Sequence, residues 1–181
     1  MKAQRPNDNE RACGTCSLCC KLMEVETLSK PAGRWCGHCV PSKGCSIHAT
    51  RPDECRGFYC GWLRIPELGE EWKPQQAKFL LFLSDDSQRL NAVVDPSAPD
   101  AWRRQPFYGQ FKTWARQSVN GGPNVQIWIR RRCVAILPDR DVELGVVPEG
   151  DGIYFGMAKT PAGPKFIARV IPATPQEGGK D

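Results

Sequence analysis

The chain has 181 residues, of which 40% are hydrophobic and 25% charged, and it carries a formal charge of +5. This length suits one domain, or a small module joined to one. No apolar run approaches the ~18 residues of a bilayer-crossing helix, which argues against a helical membrane protein and a membrane partner. The positive charge argues only weakly for a nucleic-acid partner. It is concentrated in residues 1–65, where ten Lys/Arg face six Asp/Glu, whereas residues 66–181 hold fifteen against fourteen.

The first stretch, "MKAQRPNDNERACG", is polar and has no apolar core of a secretory signal, so a cytoplasmic setting is expected. There thiols stay reduced, and clustered cysteines serve as metal ligands or redox groups more often than as staples. Nine of the ten cysteines fall between Cys13 and Cys60. They read Cys13-x2-Cys16-x2-Cys19-Cys20, then Cys36-x2-Cys39-x5-Cys45-x9-Cys55-x4-Cys60. Two residues between cysteines let one turn of chain present both sulfurs to one ion. If these nine thiols ligated two divalent ions, the block would end at about −1, and its basic excess would vanish.

Packing points the same way. The block has few large apolar residues, and a segment this short seldom folds on its own core. A structural zinc site contributes ~10–16 kcal/mol of apparent binding free energy, enough to decide whether such a segment folds. Zinc and iron–sulfur chemistry both suit a thiolate-rich set, and the spacing leaves both open. The ferredoxin-type run C-x2-C-x2-C-x3-C-P is incomplete, because Met23 stands at its fourth position. Adjacent side chains diverge, so Cys19 and Cys20 are expected to serve two metals, or to belong to one polynuclear cluster. His38, between Cys36 and Cys39, is a further candidate ligand. In "RPDEC", Pro52 suits the first position of a short helix with Asp53 and Glu54 in its first turn. Cys55 and Cys60 then lie on it or just beyond, and Arg56 is placed to offset thiolate charge.

The strings CGTCSLCC and GCSIHATRPDECRGFYCGW together resemble the CxxCxxCC family, the YkgJ-type cysteine-cluster proteins known as a zinc- or iron-chelating domain. The resemblance covers about Cys13 to Leu63. It implies metal chelation by Cys13, Cys16, Cys19, Cys20, Cys45, Cys55 and Cys60, with Cys36 matching a frequent cysteine. His48 stands where that family usually has tyrosine, which implies a packing or surface residue. Flagellin lysine N-methylases carry a similar cluster, but nothing else in this sequence supports a methylase.

Beyond the cysteines, "RIPELGEEWKPQQ" marks a boundary. The expected organisation is a cysteine-rich metal-binding module over residues 1–65, an α+β domain over 66–171 and a disordered tail over 172–181. "KFLLFLSDDSQRLNAVV" reads as a hairpin. "APDAWRRQPFYGQFKTWARQSV" reads as helix, with Asp100 as N-cap and a break at Pro106. Its aromatics Trp102, Phe107, Phe111 and Trp114 are read as core, and Arg103, Arg104, Lys112 and Arg116 as the solvent side. "VQIWIRRRCVAILP", "VELGVV" and "KFIARVIP" supply further strands. The predicted fold class is α+β: a metal-stabilised N-terminal module and a small, mainly antiparallel α+β domain.

Catalytic signals are sparse. Both histidines lie in the cysteine block, so no Ser–His–Asp set is apparent, and phosphate-cradling glycine motifs are absent. Arg130–Arg132 with Trp128 reads as a solvated face, and Cys133 as a small hydrophobe. The leading expectation is a metal-binding protein using Cys13, Cys16, Cys19, Cys20, Cys36, Cys39, Cys45, Cys55 and Cys60, with zinc or iron as cofactor and the metal structural or handled as cargo. The alternatives are an iron–sulfur enzyme or redox protein, and a zinc module that binds protein or nucleic acid.

Overall fold

The computed structural model of the chain describes residues 11–40, 43–161 and 163–173. The cysteine-rich part is built from short pieces: helix α1 (Cys19–Leu22), strands β1 (Cys39–Val40) and β2 (Gly44–Cys45), and helices α2 (Asp53–Gly57) and α3 (Gly61–Arg64). Helices of one turn do not persist alone in water; tertiary packing holds these. Pro52 occupies the cap position of α2, one residue before the first helical place expected for it. Helix α4 (Pro74–Ala77) then leads into strands β3 (Phe79–Leu83) and β4 (Arg89–Val94), the expected hairpin.

Helix α5 (Phe107–Gln117) follows Pro106, and Phe107, Phe111 and Ala115 are its buried residues, at a spacing of four. That spacing is one face of a helix. Asp100 precedes a short 3-10 turn, Ala101–Arg103, and makes no side-chain cap, so the helix begins only after the proline. Strands β5 (Asn124–Ile129), β6 (Arg132–Ile136) and β7 (Asp141–Val146) complete a five-stranded sheet of order β3-β4-β5-β6-β7. All neighbours are antiparallel except β4 and β5. A parallel pair needs a long crossover, and α5 lies in it. Strands β8 (Gly152–Thr160) and β9 (Gly163–Ile171) form a separate antiparallel hairpin. The fold is therefore α+β and mainly antiparallel, as expected. Strand β8 was not anticipated, because Gly152 and Gly156 dilute its β propensity. The tail expected to be disordered lies, from residue 174 on, outside the described residues.

The continuous apolar run of β3 has a structural reason. Alternate residues of a strand face opposite sides, and both sides of β3 are covered. Phe79 meets Trp72, Phe107 and Phe111 at ring separations of 5.0–5.8 Å. Leu80 lines a cavity in the cysteine block, and Phe82 meets Phe58 of that block edge-on at 5.8 Å. Leu18, Leu22, Cys60 and Trp62 thus join the same buried cluster as Phe79, Leu80, Ala92 and Phe111. The apolar-poor block borrows its core from the sheet. Trp102, Phe107 and Phe111 are buried, and Trp114 packs against them. Lys112, read as solvent-facing, instead reaches the Leu137 carbonyl at 2.6 Å and Asp141 at 3.4 Å.

Two features of this junction yield measurable expectations. A Cβ on Gly61 would stand 3.0 Å from Leu81 Cδ2, tighter than ordinary packing. Gly61→Ala is expected to cost ~1–3 kcal/mol as overpacking, read as a lowered urea midpoint with an unchanged slope.

Lys21 donates to both oxygens of the buried Asp95 carboxylate, at 2.6 and 2.8 Å, and the backbone N–H and hydroxyl of Ser97 each donate at 2.9 Å. Burial opposes ionisation of Asp95, but these donors prevail and hold its pKa below the ordinary carboxylate value. A depressed pKa stabilises the fold above the unfolded value of ~3.9, and that contribution disappears as pH falls through the folded value. Asp95→Asn should therefore cost ~1.5–3 kcal/mol near neutrality. The deficit should shrink when both chains are unfolded by urea in acid.

Candidate metal centre

Local geometry turns nine scattered cysteines toward one region. Gly14, at φ +54°, makes the turn in which the Cys16 N–H donates to the Cys13 carbonyl at 2.9 Å. Helix α1 buries Leu22, and Leu18 just before it, in the core and leaves Cys19 and Cys20 on the cavity side. The Cys36 N–H donates to the Cys20 carbonyl at 2.9 Å, and Cys39 N–H to the Cys36 carbonyl at 3.0 Å, which clamps the CGHC turn against α1. Strand pairing sets Cys45 opposite Cys39. Cys55 sits within α2 and Cys60 is the residue before α3.

Cys13, Cys16, Cys19, Cys20, Cys36, Cys45, Cys55 and Cys60 all line one cavity of 320 Å³. Its other wall includes Val25, Leu28, Ile47, Phe58, Leu63 and Leu80. Cys39 is not on the lining, and burial raises its thiol pKa, with Ser17 opposing and Cys20 and Cys36 adding to the rise. All ten cysteines are free thiols. Among the described residues no group of three or more His, Cys, Asp or Glu side chains stands in a geometry that holds a metal ion. The sulfurs share a chamber rather than a closed ligand shell.

Their electrostatics reflect crowding. A hydrogen bond with Cys19, burial and the Cys19 charge push the Cys20 thiol pKa strongly upward, against Cys39 and Lys30. Burial, then Cys20, Cys36 and Cys45, raise Cys55. Burial and Cys16 raise Cys13, with Arg51 opposing. Cys60 is pushed to about 11, by burial first and also by Cys13 and Cys16. The mutual influences fall into two neighbouring groups. Cys13, Cys16 and Cys60 form one; Cys20, Cys36, Cys39, Cys45 and Cys55 form the other, and Cys20 also acts on Cys13 across them. A set of crowded thiols whose anions repel is one that a thiophilic cation relieves, so the donor chemistry fits a bound metal.

Of the two arginines that flank Cys55 in sequence, the one favoured as its countercharge is not at the cavity. Arg56 donates to the Arg51 carbonyl at 2.8 Å and does not line the cavity. Arg51 does line it, with its guanidinium 3.1 Å from His48 Nδ1. Lys30 is buried, with its amino group on the carbonyls of Lys21 and Met23 at the end of α1, the helix that carries Cys19 and Cys20. Nothing in "LSKPAG" flags it, because its burial comes from a tight loop: Val25 and Lys30 exchange backbone hydrogen bonds at 2.9 and 3.0 Å across Ser29, whose φ is +48°. His38 is exposed and away from the lining. Cys133, in β6, is fully buried and its thiol pKa is pushed by burial to about 12, which fits an inert small hydrophobe. Arg130, Arg131 and Arg132 are exposed at the β5–β6 turn, while the Trp128 indole N–H is directed to Asn91 and Gln126.

Among the described residues no helix is long and apolar enough to cross a membrane. Comparison of the chain with family models, curated proteins and solved structures returned no match.

Proposed function

We propose that the chain is a metal-binding protein whose thiol-lined chamber takes zinc, or iron as an iron–sulfur centre. The observation that carries this reading is the convergence of eight free thiols, from five separate stretches of sequence, on one cavity. Bound metal would supply cross-links between those stretches and, if iron, one-electron chemistry. The Cys13–Cys16–Cys60 group and the Cys20–Cys36–Cys45–Cys55 group are the ligand sets of two adjoining centres or of one polynuclear cluster. Cys20, which acts on Cys13 as well, joins the two, with Cys19 beside it. Loading requires the thiols to lose protons and to draw inward from their separated positions. The metal is structural, or is cargo in metal handling, and the CxxCxxCC resemblance agrees with either. Free thiols in this number suit a reducing compartment such as the cytoplasm.

The apolar wall favours a second reading, an iron–sulfur redox protein or enzyme. A chamber of 320 Å³ is roomy beside the ~10–15 Å³ that one water molecule needs on the same measure, so a small substrate has space beside a centre. Anaerobic purification, with zinc, iron and acid-labile sulfide quantified per chain, tests both. Two zincs and no colour support the structural or handling reading; iron with sulfide supports the second. A chain with neither metal, which also fails to take up zinc under reducing conditions, overturns the proposal.

A further inference from the structure

Lys30 is only 6% exposed, and lysine is almost never buried without a partner for its charge. None of the ion pairs among the described residues includes it. Its amino group donates to the carbonyls of Lys21, at 3.2 Å, and of Met23. Those contacts fix the ammonium at the end of α1 and occupy two of its three N–H bonds. Carbonyls bring partial charge only. Burial lowers the Lys30 pKa, and the anions of Cys36, Cys20, Cys19 and Cys55 oppose that, in that order. A buried cation in no ion pair, with one N–H to spare, held on the carbonyls just after Cys19 and Cys20, where the Cys36 N–H also docks, matches a centre that is negatively charged when assembled. Four thiolates on a divalent ion carry a net charge of −2.

We propose that Lys30 is the built-in countercharge of the metal–thiolate centre. It is a positioning residue that holds the anionic sulfurs of Cys19, Cys20, Cys36 and Cys55 together without itself ligating the metal. This rests on the metal-binding reading above. The same lysine is a burden to the metal-free chain, since its charge then has only carbonyls to face. Removing the charge should therefore weaken metal affinity without lowering metal-free stability, which the loss of a merely structural side chain would not do.

The test uses the full-length reduced chain and cobalt(II), whose thiolate absorption reports the ligand set. Lys30→Gln retains amide donors for the two carbonyls and removes the charge; Lys30→Arg keeps the charge. Arg56→Met, at an exposed arginine off the cavity, is the control for net charge. The expected result is a ~10–100-fold weaker cobalt affinity for Lys30→Gln, with the wild-type absorption shape and a metal-free urea midpoint no lower than wild type. Lys30→Arg should recover most of the loss, and Arg56→Met should bind within ~3-fold of wild type. If Lys30→Gln does not fold, Lys30→Met replaces it under the same criteria. An uncharged variant that binds as tightly as wild type overturns the proposal, as does a Lys30→Arg variant as weak as the uncharged one. A metal-free midpoint that falls along with affinity also overturns it. A wild-type chain that takes up no cobalt, zinc or iron overturns the metal reading itself.

Discussion

Replacing Cys20 with serine is expected to strip the chain of most of its metal and to loosen the cysteine block. Cys20 is the hub of the chamber. Its carbonyl accepts the Cys36 N–H, and its thiol interacts with Cys13, Cys19, Cys39, Cys55 and Lys30. A structural zinc contributes ~10–16 kcal/mol of apparent binding energy, against a net domain stability of ~5–15 kcal/mol, so loss of one shared ligand matters on the scale of the whole fold. Metal per chain should fall by more than half, and the block should become protease-sensitive. Cys39→Ser, off the cavity lining, should lose less metal. Cys133→Ser should lose none, although its buried hydroxyl will lower stability. Equal metal loss in all three, or none in Cys20→Ser, would contradict the assignment.

The second large effect is expected at Trp72, far from any thiol ligand in role but central to the sheet–helix core. Its ring lies 4.9 Å from Phe107, 5.4 Å from Trp114 and 5.8 Å from both Phe79 and Phe111, mostly edge-on. Those separations are within the favourable range for aromatic pairs, each worth ~0.5–1.5 kcal/mol beyond area burial. Truncation to alanine loses these and leaves a cavity, for a total of ~3–5 kcal/mol. Guanidinium unfolding of metal-loaded protein should show that loss at constant metal content. Trp72→Phe should recover about half. A cost under ~1 kcal/mol would mean that the cluster collapses around the gap.

Trp72 also shows what a sequence conceals. The helix α5 aromatics were legible as core because Phe107, Phe111 and Ala115 recur at helical spacing. Trp72 sits in a punctuated polar stretch with no periodicity, and only the fold brings it among them. The hairpin β3–β4 was legible from its two apolar runs; that both faces of β3 are covered, one by the cysteine block, was not. For the site, the dense run of cysteines from Cys13 to Cys60 marked every thiol that lines the chamber, and local spacing explains the proximity only of Cys13, Cys16, Cys19 and Cys20. The grouping of those thiols depends on contacts between stretches distant in sequence, such as Cys20 with Cys36 and Cys13 with Cys60. Lys30 was invisible for the same reason: a single lysine in a polar loop acquires its meaning only from what folds over it.

Arg11 closes the cysteine block in a way that matters when the block is empty. Its guanidinium sits 5.0 Å over the Trp62 ring and donates to the carbonyls of Trp62, Ile65, Pro66 and Leu68, the first three at 2.7, 3.0 and 3.0 Å. One side chain at the start of the cysteine run thereby holds the backbone at its end, and everything between them is a ring. The entropy of closing such a ring grows only slowly with its length, so a fork of four hydrogen bonds suffices to hold it. Within the ring the thiols keep a high effective concentration toward one another even with no metal present. An emptied chamber can then refill without searching the conformations of an open chain.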